Sequence, residues 1–364
     1  MTGARKQITE WLDKAGITVN GDQKWDIQIR NNNFFDRVMQ KGSLGLGETY
    51  MDGWWDVEKL DSFFYKILDS KLDHKVSASS LNFLAYLKSI LTNPQRKQKA
   101  FQIGQEHYDI GNDVYEVMLD KRLVYTCGYW EDALNLDEAQ ENKLKKVCNT
   151  LNLKPGQKIL DIGCGWGSLA KYATSNWDVS VVGITVSENQ VELARERCKK
   201  LPVEIRLLDY RDINEKFDHI VSLGMFEHVG YKNYSLFMQI VYQNLNKDGK
   251  FILHTIGGNK SVSSTDPWIN RYIFPNSMIP SIKQIGESIE NLFIMENWEN
   301  HGLDYDKTLM QWYKNFKDGW PTLKVNYSHR FYRMWEYYLL SCAGSFRARR
   351  NQQWNIVLRS DFEK

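Results

Sequence analysis

No stretch of this 364-residue sequence approaches the roughly 18 consecutive apolar residues of a membrane-spanning helix, so no span is expected. The opening residues, MTGARKQITEWLDKAG, carry charges where a secretory leader has an apolar core, which points to the cytoplasm. Charge of one sign is also lacking. Against 47 basic side chains stand 45 acidic ones, and a net charge of +2 gives no field that argues for nucleic acid. Cysteine is sparse and odd in number, with five residues at 127, 148, 164, 198 and 342. None forms a CxxC pair or a Cys/His cluster with zinc spacing, so no metal site is expected, and free thiols suit a reducing compartment. Internal repeats and low-complexity tracts are missing too. What the chain has in quantity is aromatic surface: 13% Phe, Trp and Tyr, including thirteen tryptophans. Such content serves large buried apolar contacts, an apolar ligand, or both.

The pattern along the chain changes once. Residues 5–15 and 59–69 have apolar side chains at helical spacing, and 79–91 repeats it before Asn93-Pro94 breaks the run. Between the first two, the glycines of GSLGLGETYMDGWWD (42–56) predict a loop held by Trp54 and Trp55. A helical domain over 1–90 and a polar, basic linker over 91–105 are expected, with the remainder, 106–364, forming a second domain. There, strand candidates at 158–163, 179–185, 203–209, 217–224 and 250–257 alternate with helices such as 187–200, for which Ser187 is an N-cap. Alternation of this kind predicts an α/β fold with a doubly wound, mainly parallel sheet. NLFIMENWEN and WNIVLRS supply final strands, and the irregular stretch after 258 reads as a binding loop.

The first strand runs into LDIGCGWGSLA. Asp161 closes it, and Gly163, Gly165 and Gly167 allow a turn that brings backbone close to a ligand. The spacing is GxGxG with Trp166 inside, not the GxGxxG of dinucleotide-binding proteins, and no acidic residue ends the second strand. Thr185 and Gln190 could instead hold ribose hydroxyls, and Asp209, followed by Tyr210, could accept from an adenine amino group. The D-x-G-x-G-x-G pattern resembles the S-adenosylmethionine loop of class I methyltransferases. A glycine-rich structural turn is the competing reading.

The segment SLGMFEHVG (222–230) places Glu227 at the carboxyl end of a buried strand, where open α/β sheets keep their chemistry. His228 beside it reads as structural. His254 ends the following strand, as a functional imidazole or a satisfied core histidine. A carboxylate there is hard to explain for simple methyl transfer to nitrogen or oxygen. If the acceptor is a carbon–carbon double bond, methylation creates a carbocation, and a base in a dry pocket must remove a proton from the arriving methyl group.

YTCGYW (125–130), LDIGCGWGSLA, VVGITVSENQ, LGMFEHVG, LHTIG and DYDKTLMQWY (304–313) together resemble the bacterial cyclopropane-fatty-acyl-phospholipid synthases. EHYDIGNDVY, GSLGLGETYMDGWWD and CAGSFRAR extend the resemblance over nearly the whole chain. Mycolic acid methyltransferases share the catalytic motifs without a comparable N-terminal helical part. The resemblance implies a class I S-adenosylmethionine-dependent methyltransferase domain behind a small helical domain. Its cofactor residues would be Tyr125, Thr126, Asp161, Gly163, Cys164, Gly165, Gly167, Thr185, Gln190, Asp209 and Tyr210. Thr126 stands where the family more often has Ser.

The family's base is a bound bicarbonate ion. Carried over, its cage is Cys127, Glu227, His254, the backbone of Ile256, and Tyr305, with Glu227 accepting from the bicarbonate hydroxyl. Cys127 could equally be a small buried filler and Tyr305 a core aromatic. Cys342 has been treated as an active-site residue of the family, yet the chemistry needs no thiol nucleophile, so a structural or pocket-lining role is expected. The resemblance further implies an unsaturated phospholipid acyl chain as substrate, peripheral binding to the inner face of the membrane, and a homodimer. Candidate docking residues are Arg96, Lys97 and Lys99, and Arg347, Arg349 and Arg350, each worth about 1 kcal/mol beside an anionic surface. Trp268, Tyr272 and Phe274 are candidates for an acyl-tunnel wall. Two other readings stay open: an enzyme that leaves a plain methyl branch, and a membrane-binding protein that kept the fold without the reaction.

Overall fold

The computed structural model describes residues 3–71 and 111–360. The helix expected at 79–91, the linker at 91–105 and its basic residues Arg96, Lys97 and Lys99 lie outside them. The chain divides into two compact units. One comprises Met1–Thr92, Thr265–Pro275 and Tyr305–Asn351; the other comprises Asn93–Ser264, Asn276–Asp304 and Gln352–Lys364. The helical unit is therefore assembled from three separate segments, where the sequence suggested one continuous N-terminal block.

In the helical unit, helices Gly3–Lys14, Phe34–Lys41, Ser43–Met51 and Leu60–Asp69 accompany a short antiparallel pair, β1 (Gln28–Ile29) and β2 (Trp55–Asp56). The apolar helix His329–Arg347 belongs to the same unit and explains its segmented make-up. Its Tyr337 lies against Phe64 and Tyr50, with ring centroids 5.0 and 5.6 Å away. Trp55, Phe34, Phe35, Phe63, Trp268 and Trp335 are fully buried here, so many of the aromatics are core.

One expectation is corrected in this unit. GSLGLGETYM is a helix, Ser43–Met51, not a loop. Its glycines serve close packing: a Cβ on Gly45 would lie 2.5 Å from the Arg37 carbonyl oxygen, and one on Gly47 would lie 2.2 Å from Trp268. Trp268 and Tyr272 are occupied accordingly. The indole nitrogen of Trp268 donates to Met51 Sδ at 3.4 Å, and the Tyr272 hydroxyl donates to buried Glu48 at 3.1 Å. These side chains take part in the packing of the helical unit.

Arg347 is likewise spoken for. Its guanidinium donates to both Asp306 oxygens at 2.8 and 2.9 Å and to Asp61 at 2.6 Å, and Arg350 donates to the Leu68 carbonyl at 2.8 and 3.0 Å. Two of the three arginines of the C-terminal cluster are thus engaged within the helical unit, while Arg349 is exposed. Arg347→Ala would strand two carboxylates, and a loss of roughly 1–3 kcal/mol is expected, read as a lower thermal midpoint. Unaltered vesicle binding in the same variant would separate this role from membrane docking.

The second unit carries a seven-stranded sheet in the order β5-β4-β3-β6-β7-β9-β8. Its strands are β3 (Lys158–Ile162), β4 (Ser180–Thr185), β5 (Val203–Leu207), β6 (Phe217–Leu223), β7 (Leu245–Gly258), β8 (Phe293–Asn300) and β9 (Asn351–Ser360). Pairs β3/β4, β4/β5, β3/β6 and β6/β7 are parallel, and β8/β9 is antiparallel. Alternate residues feed the two faces. Leu160, Ile220 and Phe251 pack with Phe237, Met238 and Val241 of helix Tyr234–Asn244. Ile159, Val221 and Ile252 pack with Leu144, Val147 and Leu151 of helix Leu136–Leu151. Both faces are covered, which is why these strands read as continuous apolar runs. The strand order reverses between β3 and β6, so the ligand crevice is expected at the carboxyl ends of those two strands. Among the described residues no helix is long and apolar enough to cross a membrane.

Candidate active site

The glycine loop leaves β3 at that switch point. Gly163, Gly165 and Gly167 have φ of 80°, 53° and 76°, the left-handed region that side chains rarely adopt. The outer two are also packed: a Cβ on Gly163 would lie 2.6 Å from Met225 Cβ, and one on Gly167 would lie 3.1 Å from Cys198 Sγ. Gly165 differs, since nothing lies within 4 Å of its Cβ position. An open, positively twisted backbone between two packed glycines is a cradle for a ligand. Trp166 anchors the loop from behind, its ring 5.0 Å from Tyr115, whose ring is in turn 5.1 Å from Tyr125. Cys164 is buried beneath, and a Cβ on Gly183 of β4 would meet its Cβ and Sγ at 3.0 Å. Burial pushes the Asp161 carboxyl up to about 7, leaving a desolvated acceptor suited to a cationic ligand group.

At the next strand ends, the Thr185 hydroxyl donates to Gln190 Oε1 at 2.7 Å, so these two residues organise each other before any ribose is considered. Asp209 accepts from the Arg211 backbone at 3.0 Å and from its guanidinium at 3.1 Å, while that guanidinium lies over the Tyr210 ring at 4.7 Å.

Past β6, Gly224 donates to the His254 carbonyl at 2.8 Å and takes φ of 78°; a Cβ there would lie 2.6 Å from Thr126 Cγ2. The YTC segment is therefore pressed against the end of β6. The chain then turns through Phe226–His228, which puts Glu227 against β7. Glu227 Oε1 accepts from the Ile256 backbone N–H at 2.6 Å, so that donor is engaged by Glu227 rather than left open for an anion. Glu227 Oε2 has no partner among the described residues, and burial pushes the carboxyl up to about 7. His228 is held down to about 4 by burial and is neutral near pH 7.

His254 is buried, and its Nδ1 lies 3.3 Å from the Tyr129 hydroxyl, while its Nε2 has no partner among the described residues. Burial, reinforced by Lys143, holds it neutral. Tyr129 stacks on His301 at 3.8 Å, and the fully buried Cys127 directs Sγ at the carbonyls of Gly128 and His301, 3.2 and 3.7 Å away. Within the sheet unit Glu227 thus meets Ile256, and His254 meets Tyr129, which stacks on the His301 that Cys127 contacts; each of Glu227 and His254 keeps one orphaned polar atom.

Tyr305 and Cys342 belong to the helical unit. Tyr305 lies on helix Gly302–Leu323, with rings of Phe346 and Trp312 at 4.5 and 6.0 Å. The Cys342 thiol is pushed up to about 12 by burial, which makes it a poor nucleophile. Sequence reasoning passed over Tyr129, His301 and Lys143. The signal for Lys143 was available: with Leu136, Gln140 and Val147 it falls on the apolar stripe of its helix.

Residues 95–356 match the family model described as mycolic acid cyclopropane synthetase. The chain belongs to that family. The cyclopropane-fatty-acyl-phospholipid synthase of Escherichia coli strain K12 is 53% identical over 348 residues, covering 96% of this chain and 91% of the relative. Among solved structures, the cyclopropane synthase MmaA2 from Mycobacterium tuberculosis has a TM-score of 0.67 at 29% identity, over 72% of this chain and 98% of that one. A mycolic acid cyclopropane synthase complexed with SAH and CTAB gives the same score, identity and coverage. The sheet unit accordingly has the class I S-adenosylmethionine-dependent methyltransferase fold, and family membership reaches from the glycine loop through Glu227 and His254 into β9.

Proposed function

We propose that the protein transfers the methyl group of S-adenosylmethionine to the cis double bond of an unsaturated acyl chain in a membrane phospholipid, and that a bound bicarbonate ion then closes the cyclopropane ring. The observation that carries this is the 53% identity to the Escherichia coli synthase over 96% of the chain, joined to a strand-end carboxylate and imidazole with orphaned polar atoms.

The glycine cradle and the buried Asp161 fit a cationic nucleoside ligand, and when bound the cofactor supplies an electrophilic methyl group. Gly163 and Gly167 hold the loop shape, while Gly165 leaves room for the ligand's approach. Gly165→Val is expected to abolish cofactor affinity by calorimetry, since a branched side chain would fill that space at an unfavourable φ.

The methylated chain is a cation until the new methyl group gives up a proton. Bicarbonate, when bound, supplies the base. Glu227 Oε2 is free to accept from its hydroxyl, and the orphaned nitrogen of His254, as the protonated atom of the neutral ring, can donate to it. Burial of Glu227, His254 and Cys127 keeps water from trapping the cation. Peripheral binding at the cytoplasmic membrane face and a homodimer belong to this reading, as the setting in which such an enzyme meets its lipid. A membrane-binding and dimerising role for the N-terminal helical part, with the chemistry in the sheet unit, is part of the same proposal.

Mass spectrometry of unsaturated phospholipid vesicles incubated with the protein and labelled cofactor tests it. The expected product gains one labelled CH₂ and loses the double bond. A methyl-branched product would convert the reading to an open-chain methyltransferase, and no labelled lipid at all would remove the enzymatic reading.

A further inference from the structure

Helix Leu136–Leu151 turns an ammonium group into the protein. Lys143 is completely buried on its apolar stripe. Burying a cation costs several kcal/mol unless an opposite charge accompanies it. Yet among the described residues no carboxylate forms an ion pair with Lys143. Its hydrogen bonds go to neutral oxygens: Thr126 Oγ1 at 2.6 Å and Gln140 Oε1 at 2.7 Å. An ammonium has three protons, so one is left without an acceptor there.

The surroundings locate what is missing. Gln140 also donates to the Thr126 carbonyl at 2.8 Å, so the Gln140–Lys143 pair grips the YTC segment by both its main chain and its hydroxyl. Cys127 follows directly. The groups whose charges act on Lys143 are Cys127 and Asp120, and Lys143 acts in turn on His254. Asp120 is already committed, accepting from the Val124 and Arg122 backbone at 2.8 and 3.1 Å. His254 is held neutral by burial. A buried ammonium group with no carboxylate in contact therefore sits in the neighbourhood where His254 Nε2 and Glu227 Oε2 also lack partners.

We propose that Lys143 is the buried counter-charge of the anion site, a positioning residue that makes this pocket take up a bicarbonate-sized monoanion beside Glu227 and holds Thr126 and Cys127 in place for it. The inference rests on the bicarbonate reading above. It explains how a site containing a carboxylate can bind a second anion. Binding must then be linked to the lysine proton: burial brings Lys143 down to about 7 even though Cys127 and Asp120 act to raise it, and a bound anion raises it further.

Two measurements on the full-length protein test this. In Lys143→Met, the bicarbonate concentration giving half-maximal kcat is expected to rise at least tenfold, with cofactor affinity retained, and Lys143→Arg is expected to restore part of the response. In the wild type, the Lys143 ammonium followed by NMR of labelled lysine is expected to titrate at least one unit higher in saturating bicarbonate, the reciprocal of a tenfold coupling. A bicarbonate-dependent wild type whose Lys143 titration does not move, or a folded Lys143→Met with unchanged bicarbonate dependence, overturns the assignment alone. A wild type that forms the ring regardless of bicarbonate overturns the bicarbonate reading and this assignment with it. Should Lys143→Met fail to fold, the wild-type titration still decides.

Discussion

Glu227→Gln is expected to lower kcat by about 10²- to 10⁴-fold while leaving cofactor and lipid affinity close to those of the wild type. Gln is nearly isosteric, and its amide oxygen can still accept from the Ile256 N–H that Glu227 Oε1 engages at 2.6 Å. What changes is the other atom, the orphaned Oε2, which becomes a donor where an acceptor is needed. The loss falls on kcat because the interaction matters while the cation is being deprotonated. Removing dissolved carbonate should slow the wild type and affect the variant much less. The pH profile carries an independent signature. Burial raises the Glu227 carboxyl to about 7, so the acceptor form is present above that pH and lost as pH falls through it. Wild-type turnover is expected to rise through pH 7, and the part of that limb due to Glu227 should vanish with Gln. Wild-type turnover in the variant would reduce Glu227 to a structural carboxylate that fixes the β7 backbone.

Gly344→Val is expected to cost roughly 3 kcal/mol or more, read as a large drop in thermal midpoint or as loss of soluble protein. A Cβ on Gly344 would lie 2.7 Å from the Asp61 carbonyl oxygen and 2.8 Å from both Phe64 Cβ and the Tyr65 backbone nitrogen. Two of these neighbours are main chain and cannot rotate away, so helices His329–Arg347 and Leu60–Asp69 would have to separate. Gly286→Ala is the matched control. It lies in helix Ile282–Ile289 with nothing within 4 Å of its Cβ position, and alanine there should stabilise by about 0.5–1 kcal/mol. Equal stabilities for the two variants would remove the close-packing reading of the Gly344 contact.

The sheet was legible because its central strands β3, β4, β6 and β7 are largely buried and separated by helices. Ser187 does cap its helix, accepting from the Gln190 N–H, and β3 to β7 lie where apolar, β-branched runs placed them. Glu227 and His254 were legible for the same reason, as polar residues closing apolar strands. The helical unit was harder to read. Glycine in GSLGLGETYM carries two meanings in a sequence, turn and close contact, and only the partner decides between them. The Gly47 partner, Trp268, is more than two hundred residues away in the chain. Arg347 misled for a similar reason: a run of arginines looks like a surface, and the carboxylates it serves, Asp61 and Asp306, are remote in sequence. Lys143 carried a local signal, a charge on an apolar helix face, but its meaning depends on Thr126 and His254 being brought to it.

The three-segment make-up of the helical unit sets a timetable for synthesis. Leu60–Asp69 leaves the ribosome long before His329–Arg347, which provides Tyr337 and Gly344 against it. At roughly 5–20 residues per second that interval lasts some tens of seconds. During it Phe64 lacks Tyr337, part of the surface that buries it, while the whole parallel sheet from β3 to β7 has already emerged. A stop codon before His329–Arg347 would therefore expose apolar surface at residues made first.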